Sequence, residues 1–425
     1  MDLKENSIWD AAVIGAGPAG AMAAYQLAKR GAKVLLADRA TFPRKKVCGS
    51  CLNQAAISLL REEGLGEIMT QNRAPRLGEL WLACGRSHAE IPLPEGAALS
   101  REKLDAELVQ KAVENGAIFL PDTRAALSFE GRPGFNLAES ARVEPRATFE
   151  SSARSVVLRQ DGNEIMVKAR VILAADGLAG QFLEKEPGFG TQTDPASRIG
   201  VGKVVKEAPA FYDFGKIYMA CARQGYLGMV RLEDGRLNVA AAFDPEFLRM
   251  CGGAGAAARR VLEESHLPLI PELEDSDWLG TFPLTRKRSR VAGHRIFVIG
   301  DSAGYTEPFT GEGITMALTS GIAVTGFVLQ GIREWKKTLE RDWTECQRTL
   351  VIRRQGLSRW TAKILRCHPL TRIIVQILSW NPGFAAPWIK KTNRRFRSAG
   401  FQPEAGPPLA ENLRYGKMDS EALCH

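Results

Sequence analysis

The chain has 425 residues, 45% of them hydrophobic and 25% charged, with a net charge of +9. This composition excludes a fibrous or generally disordered chain and leaves room for two or three domains around a sizeable core. Eight cysteines in such a length are too sparse for a disulfide scaffold and fit a reducing cytoplasm.

No run of 18 apolar residues occurs, so no transmembrane helix is expected. The opening segment, Met1 to Asp10, is polar and does not read as a signal peptide. The basic excess is local: Arg333 to Arg397 holds sixteen Lys/Arg against four Asp/Glu, or +12. Such a segment points to a local partner and not to a globally basic binder.

In chain order, an apolar run from Asp10 ends at Gly15, Gly17 and Gly20, with Pro18 and Ala19 between. An alanine-rich helix to Arg30 follows, then the run Val34 to Ala37 and the acid Asp38. Strand, glycine turn, helix, strand and acid is the context in which Gly-x-Gly-x-x-Gly marks a dinucleotide site. Gly15 permits the tight turn, Gly17 lets the backbone approach a pyrophosphate, and Gly20 lets helix pack on strand. Asp38 is expected to accept from the adenosine ribose. Arg39 and the stretch through Gly49 follow, and Cys48 and Cys51 form a Cys-x-x-Cys before a helix over Gln54 to Glu63, capped by Ser50 or Asn53. Nearby Arg44, Lys45 and Lys46 could lower a thiol pKa there and make Cys48 reactive; two small buried cysteines are the plainer alternative. No second Cys/His pair has metal-site spacing, so no metal is expected.

Residues 76–92 alternate around Gly85 as a hairpin. Ser100 caps a helix that opens with Arg101 and stops at Gly116. Residues 130–150 read as a loop or insertion. Strands over Ser155–Arg159 and Ile165–Val167 flank the turn Asp161-Gly162, and a separate buried strand ends at Asp176-Gly177. From Ser197 to Phe243 strands and tight turns predict an antiparallel sheet. A buried strand then leads to Gly300-Asp301, a glycine-rich loop to Gly313, and a small-residue helix over Ile314–Leu329. Beyond Gly331 the chain is helical, basic and tryptophan-rich, and from Ala399 it reads as a disordered tail.

Three distant motifs, the opening fingerprint, Asp176-Gly177, and Gly300-Asp301 with Pro308 to Gly313, together resemble FAD-dependent oxidoreductases of the p-hydroxybenzoate hydroxylase type. Lys45-Lys-Val-Cys-Gly49 is most similar to the branch holding geranylgeranyl reductases and flavin-dependent halogenases. The resemblance implies an α/β fold: a Rossmann-like, glutathione-reductase-type FAD domain (1–75, 98–185 and 286–330), an antiparallel-sheet substrate domain (76–97 and 186–285), and a helical C-terminal region (331–398) before the tail (399–425). It further implies that Asp301 holds the ribityl or pyrophosphate part of FAD. Pro308, Gly311, Glu312, Gly313 and Ile314 would bring backbone N–H groups to the flavin edge where negative charge develops. Arg101 matches the family's FAD-binding arginine. Asp176 and Gly177 join the cradle.

Absence of a second fingerprint leaves NAD(P)H as a transient reductant, or an external electron donor. The tryptophans never fall two apart, which argues against halogenation, and Gly225 to Leu232 lacks the Trp and Pro of the prenyl reductases. The leading expectation is therefore a monooxygenase of a hydrophobic or aromatic intermediate, working through a C4a-hydroperoxyflavin. Reduction of isoprenoid double bonds and a Cys48/Cys51 redox relay are the alternatives. Pocket candidates are Tyr218, Arg223, Tyr226, Arg231 and Asn238, with Cys48, Tyr226 and Arg231 assigned to catalysis. Residues 359–391 intersperse Trp and Ile with Lys/Arg, which suits either an anionic membrane surface, peripheral at its inner face, or a helix packed on the protein. Nucleic acid is not expected.

Overall fold

The computed structural model describes residues 7–128, 152–307, 309 and 311–393, with only the backbone for 351–360. The expected insertion at 130–150 and the tail from Ala399 lie outside the described residues, as does Pro308.

The chain opens with β1 (Ile8–Ile14), α1 (Pro18–Ala28) and β2 (Val34–Ala37). After the short β3 (Cys51–Leu52) come α2 (Gln54–Glu62) and α3 (Glu67–Gln71). A hairpin of β4 (Arg76–Cys84) and β5 (Ser87–Ala98) precedes α4 (Arg101–Glu114). Next are β6 (Ile118–Leu120), β7 (Arg124–Leu127), β8 (Arg154–Gln160) and β9 (Asn163–Ala174). The middle of the chain holds β10 (Thr191–Thr193), β11 (Ile199–Val205), β12 (Lys216–Ala222), β13 (Gly225–Arg231) and β14 (Leu237–Phe243). Helices α5 (Pro245–Cys251) and α6 (Ala254–Glu264) lead to β15 (Leu279–Pro283) and β16 (Arg286–Arg288). Short strands β17 (Ala292–Gly293), β18 (Ile296–Val298) and β19 (Gly304–Tyr305) come before α7 (Gly313–Arg333). The C-terminal helices are α8 (Thr338–Arg366), α9 (His368–Trp380) and α10 (Ala386–Thr392).

The first sheet has the order β17-β18-β9-β1-β2-β6, with β7 and β8 attached beside β9. Its central pairs, β18–β9, β9–β1, β1–β2 and β2–β6, are parallel. Strands buried on both faces should read as continuous apolar runs, and β1 and β2 do. One face carries α1, α4 and α7 over a core that includes Leu36, Leu104 and Phe297. Asn53 caps α2 by accepting from Ala56 N, and Ser100 caps α4 by accepting from Lys103 N. The two strands expected at Ile165 and before Asp176 are a single strand, β9. It pairs antiparallel with β8 at its start and parallel with β1 for much of its length, so one strand serves both hairpin and central sheet.

The second sheet runs β15-β11-β14-β13-β12-β4-β5-β3. It departs from the expected antiparallel pattern at one place, because β12 lies parallel to β4. That junction joins the early hairpin to the middle of the chain. Helix α6 closes one face over Tyr212, Tyr218, Met229 and Phe243. The other face looks toward the first sheet, and α9 packs across β4 and β5. A small sheet of β10, β16 and β19 sits apart.

Candidate active site

A cavity of about 1010 Å³ lies between the two sheets and reaches both the glycine turn and the face of β12–β14. Its cofactor end begins where β1 stops. Gly15 has φ +107°, and a Cβ there would collide with the carbonyl of Ala175, so only glycine fits the turn. A Cβ at Gly20 would strike the Gly15 carbonyl, which is why α1 can start so close to the strand. Pro18 stands in the first turn of α1, where its missing N–H costs nothing. Asp38, at the end of β2, is buried and accepts from Ala16 N (2.8 Å) and Ala40 N (2.9 Å). It holds the turn in place while lining the cavity.

Two features of this end were not read from sequence. Asp105, wholly buried on α4, accepts from Nε and Nη2 of Arg101, each at 2.8 Å, and also meets Arg44 at 3.3 Å. The two guanidiniums therefore converge, each 3.7 Å from where a Cβ of Gly17 would stand. Lys46 joins them, its pKa lowered by burial first and by the charges of Arg44 and Arg101 next. The i,i+4 spacing of Arg101 and Asp105 was the available signal for the pair. Arg44 offered none, because it reaches the site only through the fold.

Three cations against Asp38 and Asp105 leave a positive excess beside a bare helix N-terminus, as a diphosphate requires. Buried Arg44 Nε and Asn53 Nδ2 have no partner, and both residues line this cavity. Asp301 also lines it, and burial pushes its carboxyl up to about 6 against the lowering charges of Arg101 and Lys46. The residues present thus fit FAD. Arg44, Lys46 and Arg101 would hold the pyrophosphate, and Asp301 would accept from a hydroxyl of the chain beside it. Gly311, at φ +67°, and Gly313 open α7 without a side-chain cap and line the cavity with Ile314.

Of the other expected cofactor residues, Ala19, Arg39, Cys48, Gly49 and Gly177 line the cavity. Arg39 bonds Gln181, and a Cβ on Gly49 would meet nothing within 4 Å. Asp176 lines it too, but its two oxygens take Phe182 N and Ser302 Oγ, so it also ties two loops together. Gly20, Gly300 and Glu312 do not line it. Gly300 gives close packing, because a Cβ would fall 2.7 Å from that of Ala19, and Glu312 is buried at the start of α7.

At the other end, the sheet decides which strand residues face the cavity. Ile217, Met219, Tyr226 and Gly228 do. Tyr226 is buried, meets Phe309 edge-on at 5.1 Å and has the Arg198 guanidinium 5.7 Å from its ring. Burial holds its hydroxyl well above the usual tyrosine range, so it stays protonated. Tyr218 points the other way, donating to Phe211 O (2.7 Å) and accepting from Asp213 N (3.0 Å). Arg231 is corrected from catalytic to structural. It lies outside the cavity, and its guanidinium donates to the carbonyls of Tyr212, Gly235 and Ala208. Strand alternation sends it to the face opposite Tyr226. Arg223 and Asn238 are also outside; Asn238 donates to the Cys48 carbonyl at 2.9 Å and so fixes the cysteine loop.

Cys48 and Cys51 both line the cavity as free thiols. Cys51 donates to the Gly49 carbonyl at 3.1 Å, and burial pushes its pKa up. Held protonated, Cys51 is a poor nucleophile. Among the described residues no group of His, Cys, Asp and Glu could hold a metal.

A glycine turn with an arginine clamp at one end of a parallel sheet, and an apolar chamber under a second sheet at the other, define an FAD-dependent oxidoreductase. The pattern of the FAD binding domain family matches residues 9–335, and the chain belongs to that family. Among similar proteins, conditioned medium factor receptor 1 of Dictyostelium discoideum is 27% identical, over 79% of this chain and 66% of its own length. The menaquinone reductase of Mycobacterium tuberculosis is 27% identical, over 73% of this chain and 74% of its own. Digeranylgeranylglycerophospholipid reductase 1 of Methanococcoides burtonii is 23% identical, over 74% and 72%. A geranylgeranyl bacteriochlorophyll reductase-like protein from Thermoplasma acidophilum superposes with TM-score 0.72 at 16% identity, covering 96% of this chain and 99% of that one. The flavin-dependent brominase Bmp2 gives 0.71 at 17%, with the same coverage. These two share the fold.

Proposed function

We propose that the chain reduces a carbon–carbon double bond in an elongated, apolar substrate of isoprenoid type. The observation that carries this reading is the chamber beyond the cofactor end. Leu80, Leu93, Met219, Leu284 and Phe309 line it, and Trp388 and Ile389 of α10 extend the apolar wall. Activation of a phenol for hydroxylation relies on a base or hydrogen-bond acceptor for its hydroxyl, whereas Tyr226, held protonated by burial, is placed to donate. The two reductases above cover about three quarters of both chains, which supports the same choice.

Once reduced by the electron donor, bound flavin would supply the hydride and return to FAD. The rest falls to the protein. Arg44, Lys46 and Arg101 fix the cofactor, the apolar wall aligns the substrate and excludes water, and the Tyr226 Oη holds the proton for the carbon that does not receive hydride. The Trp and Pro of the prenyl reductases are absent between Gly225 and Leu232, and Gly228 packs closely there, since a Cβ would fall only 3.0 Å from Met219 Sδ. NAD(P)H binding briefly over the FAD domain is the proposed reductant.

Anaerobic incubation of FAD-loaded, chemically reduced protein with geranylgeranyl diphosphate or a prenylated quinone tests the reading. A product heavier by two hydrogens, with flavin reoxidised, is the expected result. Oxygen uptake stimulated by substrate, with a product heavier by one oxygen atom, would establish monooxygenation in its place.

A further inference from the structure

Helix α9 is apolar on two opposite sides, and only one of them is covered. Thr371, Val375 and Leu378 are buried, the last two within the cluster that contains Leu80, Met219 and Tyr226 of the second sheet. Across the helix, Leu370, Ile373, Ile377 and Trp380 recur at intervals of three and four residues and form one stripe. Phe384, in the turn that follows, continues it. Ile373 is 55% exposed, Trp380 78% and Phe384 65%. Large apolar side chains this open, and contiguous, mark a surface that meets something apolar.

Charge identifies the occupant. From Cys346 to Pro403 the chain has no Asp or Glu and twelve Lys/Arg. Lys363, Arg372, Lys390 and Lys391 are exposed around the stripe. An apolar ridge with tryptophan at its end and cations beside it is the pattern of a helix lying in the interface of an anionic bilayer. A second copy of the chain meets an obstacle that lipid does not, because a two-fold contact over this face would oppose like charges.

We infer that α9 and the Asn381–Ala385 turn seat the protein on an anionic bilayer, with the stripe among the acyl chains and the lysines and arginines at the headgroups. The position of the cavity gives the seat a use. α10, joined to the stripe by that turn, puts Trp388, Ile389 and Thr392 into the cavity wall. The chamber therefore ends beside the surface that would touch lipid. This use rests on the proposed substrate; the seat itself does not.

Flotation of the FAD-loaded full chain with vesicles tests the seat without substrate or turnover, so its outcome is separate from that of the reductase assay. Vesicles of phosphatidylcholine with about a quarter phosphatidylglycerol should carry the protein at about 0.05 M salt, less at about 0.5 M, and pure phosphatidylcholine should carry little. The pair Ile373→Ser and Trp380→Ser should cut partition about tenfold or more, with flavin content and melting temperature unchanged. Lys390→Glu with Lys391→Glu should abolish the preference for phosphatidylglycerol. Failure of the wild-type chain to float at low salt overturns the inference, as does unchanged flotation of the serine pair. A dimer in light scattering that the serine pair converts to monomer would assign the face to a second copy and overturn it too.

Discussion

Asp301 and Tyr226 show burial working in opposite directions on the same chamber. The Asp301 carboxyl moves from 3.8 to about 6 because burial penalises its charge. The cofactor-free fold thus holds this proton more tightly than the unfolded chain does. Its contribution favours the fold below the unfolded value and is lost as pH climbs through about 6. A hydroxyl from FAD favours the carboxylate, so flavin affinity should tighten as pH rises through about 6. Flavin fluorescence titrations between about pH 5 and about pH 8 check this, and Asp301→Asn should flatten the profile. Tyr226→Phe keeps the ring against Phe309 and removes only the hydroxyl. It should lower kcat about a hundredfold with KM little changed, read in anaerobic turnover. At this scale the sequence was informative where the chemistry is local. Gly15, Gly17 and Asp38 sit within a span of 24 positions, and their roles follow from spacing. Asp105 and Arg44 come together only when α4 packs under the turn, and nothing in the intervening 60 residues announces it.

Between elements, one joint is electrostatic. Arg198, just before β11, is wholly buried and donates to Glu307 at 3.1 Å, in the loop leading to α7. It also reaches Asp244 and the Arg223 carbonyl. Removing Glu307 takes away the buried counter-ion and leaves the guanidinium only the partly exposed Asp244, so Glu307→Leu should lower stability by about 3 kcal/mol in urea denaturation. Adding Arg198→Met should recover much of that loss, because an apolar pair needs no counterion. A second joint is steric. A Cβ on Gly321 of α7 would strike the Ala19 carbonyl of α1. Gly321→Val should weaken flavin binding and lower stability by about 2 kcal/mol, seen together in flavin release on heating. The elements themselves were mostly legible: the caps at Asn53 and Ser100, the hairpin at Gly85 and the small-residue helix after Gly313 all follow from local chemistry. Strand faces were not. Alternation over Gly225–Arg231 defines two faces, and only the packing of α6 on one of them leaves Tyr226 in the chamber and turns Arg231 away. Likewise β9 has no sequence break to mark where it changes partners.

For the molecule as a whole, the cofactor site spans the parallel sheet, α4, the cysteine loop and the start of α7, so FAD should act as a clasp. At a free concentration about 100 times its Kd, it should add about 2.7 kcal/mol of stability. Calorimetry should then show one sharper transition at higher temperature, and loss of both flavin and tertiary signal together. Among the described residues only α7 is long and apolar enough to cross a membrane, and 67% of its apolar window is buried against the rest of the protein. It reads as a core helix, which leaves α9 as the element facing outward.

The strand order has a consequence for how the protein is made. β18 lies beside β9, which lies beside β1, so the last strand of the parallel sheet is the neighbour of one synthesised long before it. Asp301 and the start of α7 come after that strand, while the glycine turn they complete comes at the beginning. A ribosome therefore releases the residues that would grip phosphate well before those that would meet the flavin ring. Until Gly321 has emerged and docked on Ala19, the growing chain exposes the side of α1 that α7 will cover. Flavin capture should accordingly be a late event in biogenesis. Stalled nascent chains ending before β18 should bind no flavin, whereas chains carried past α7 should take it up while still tethered.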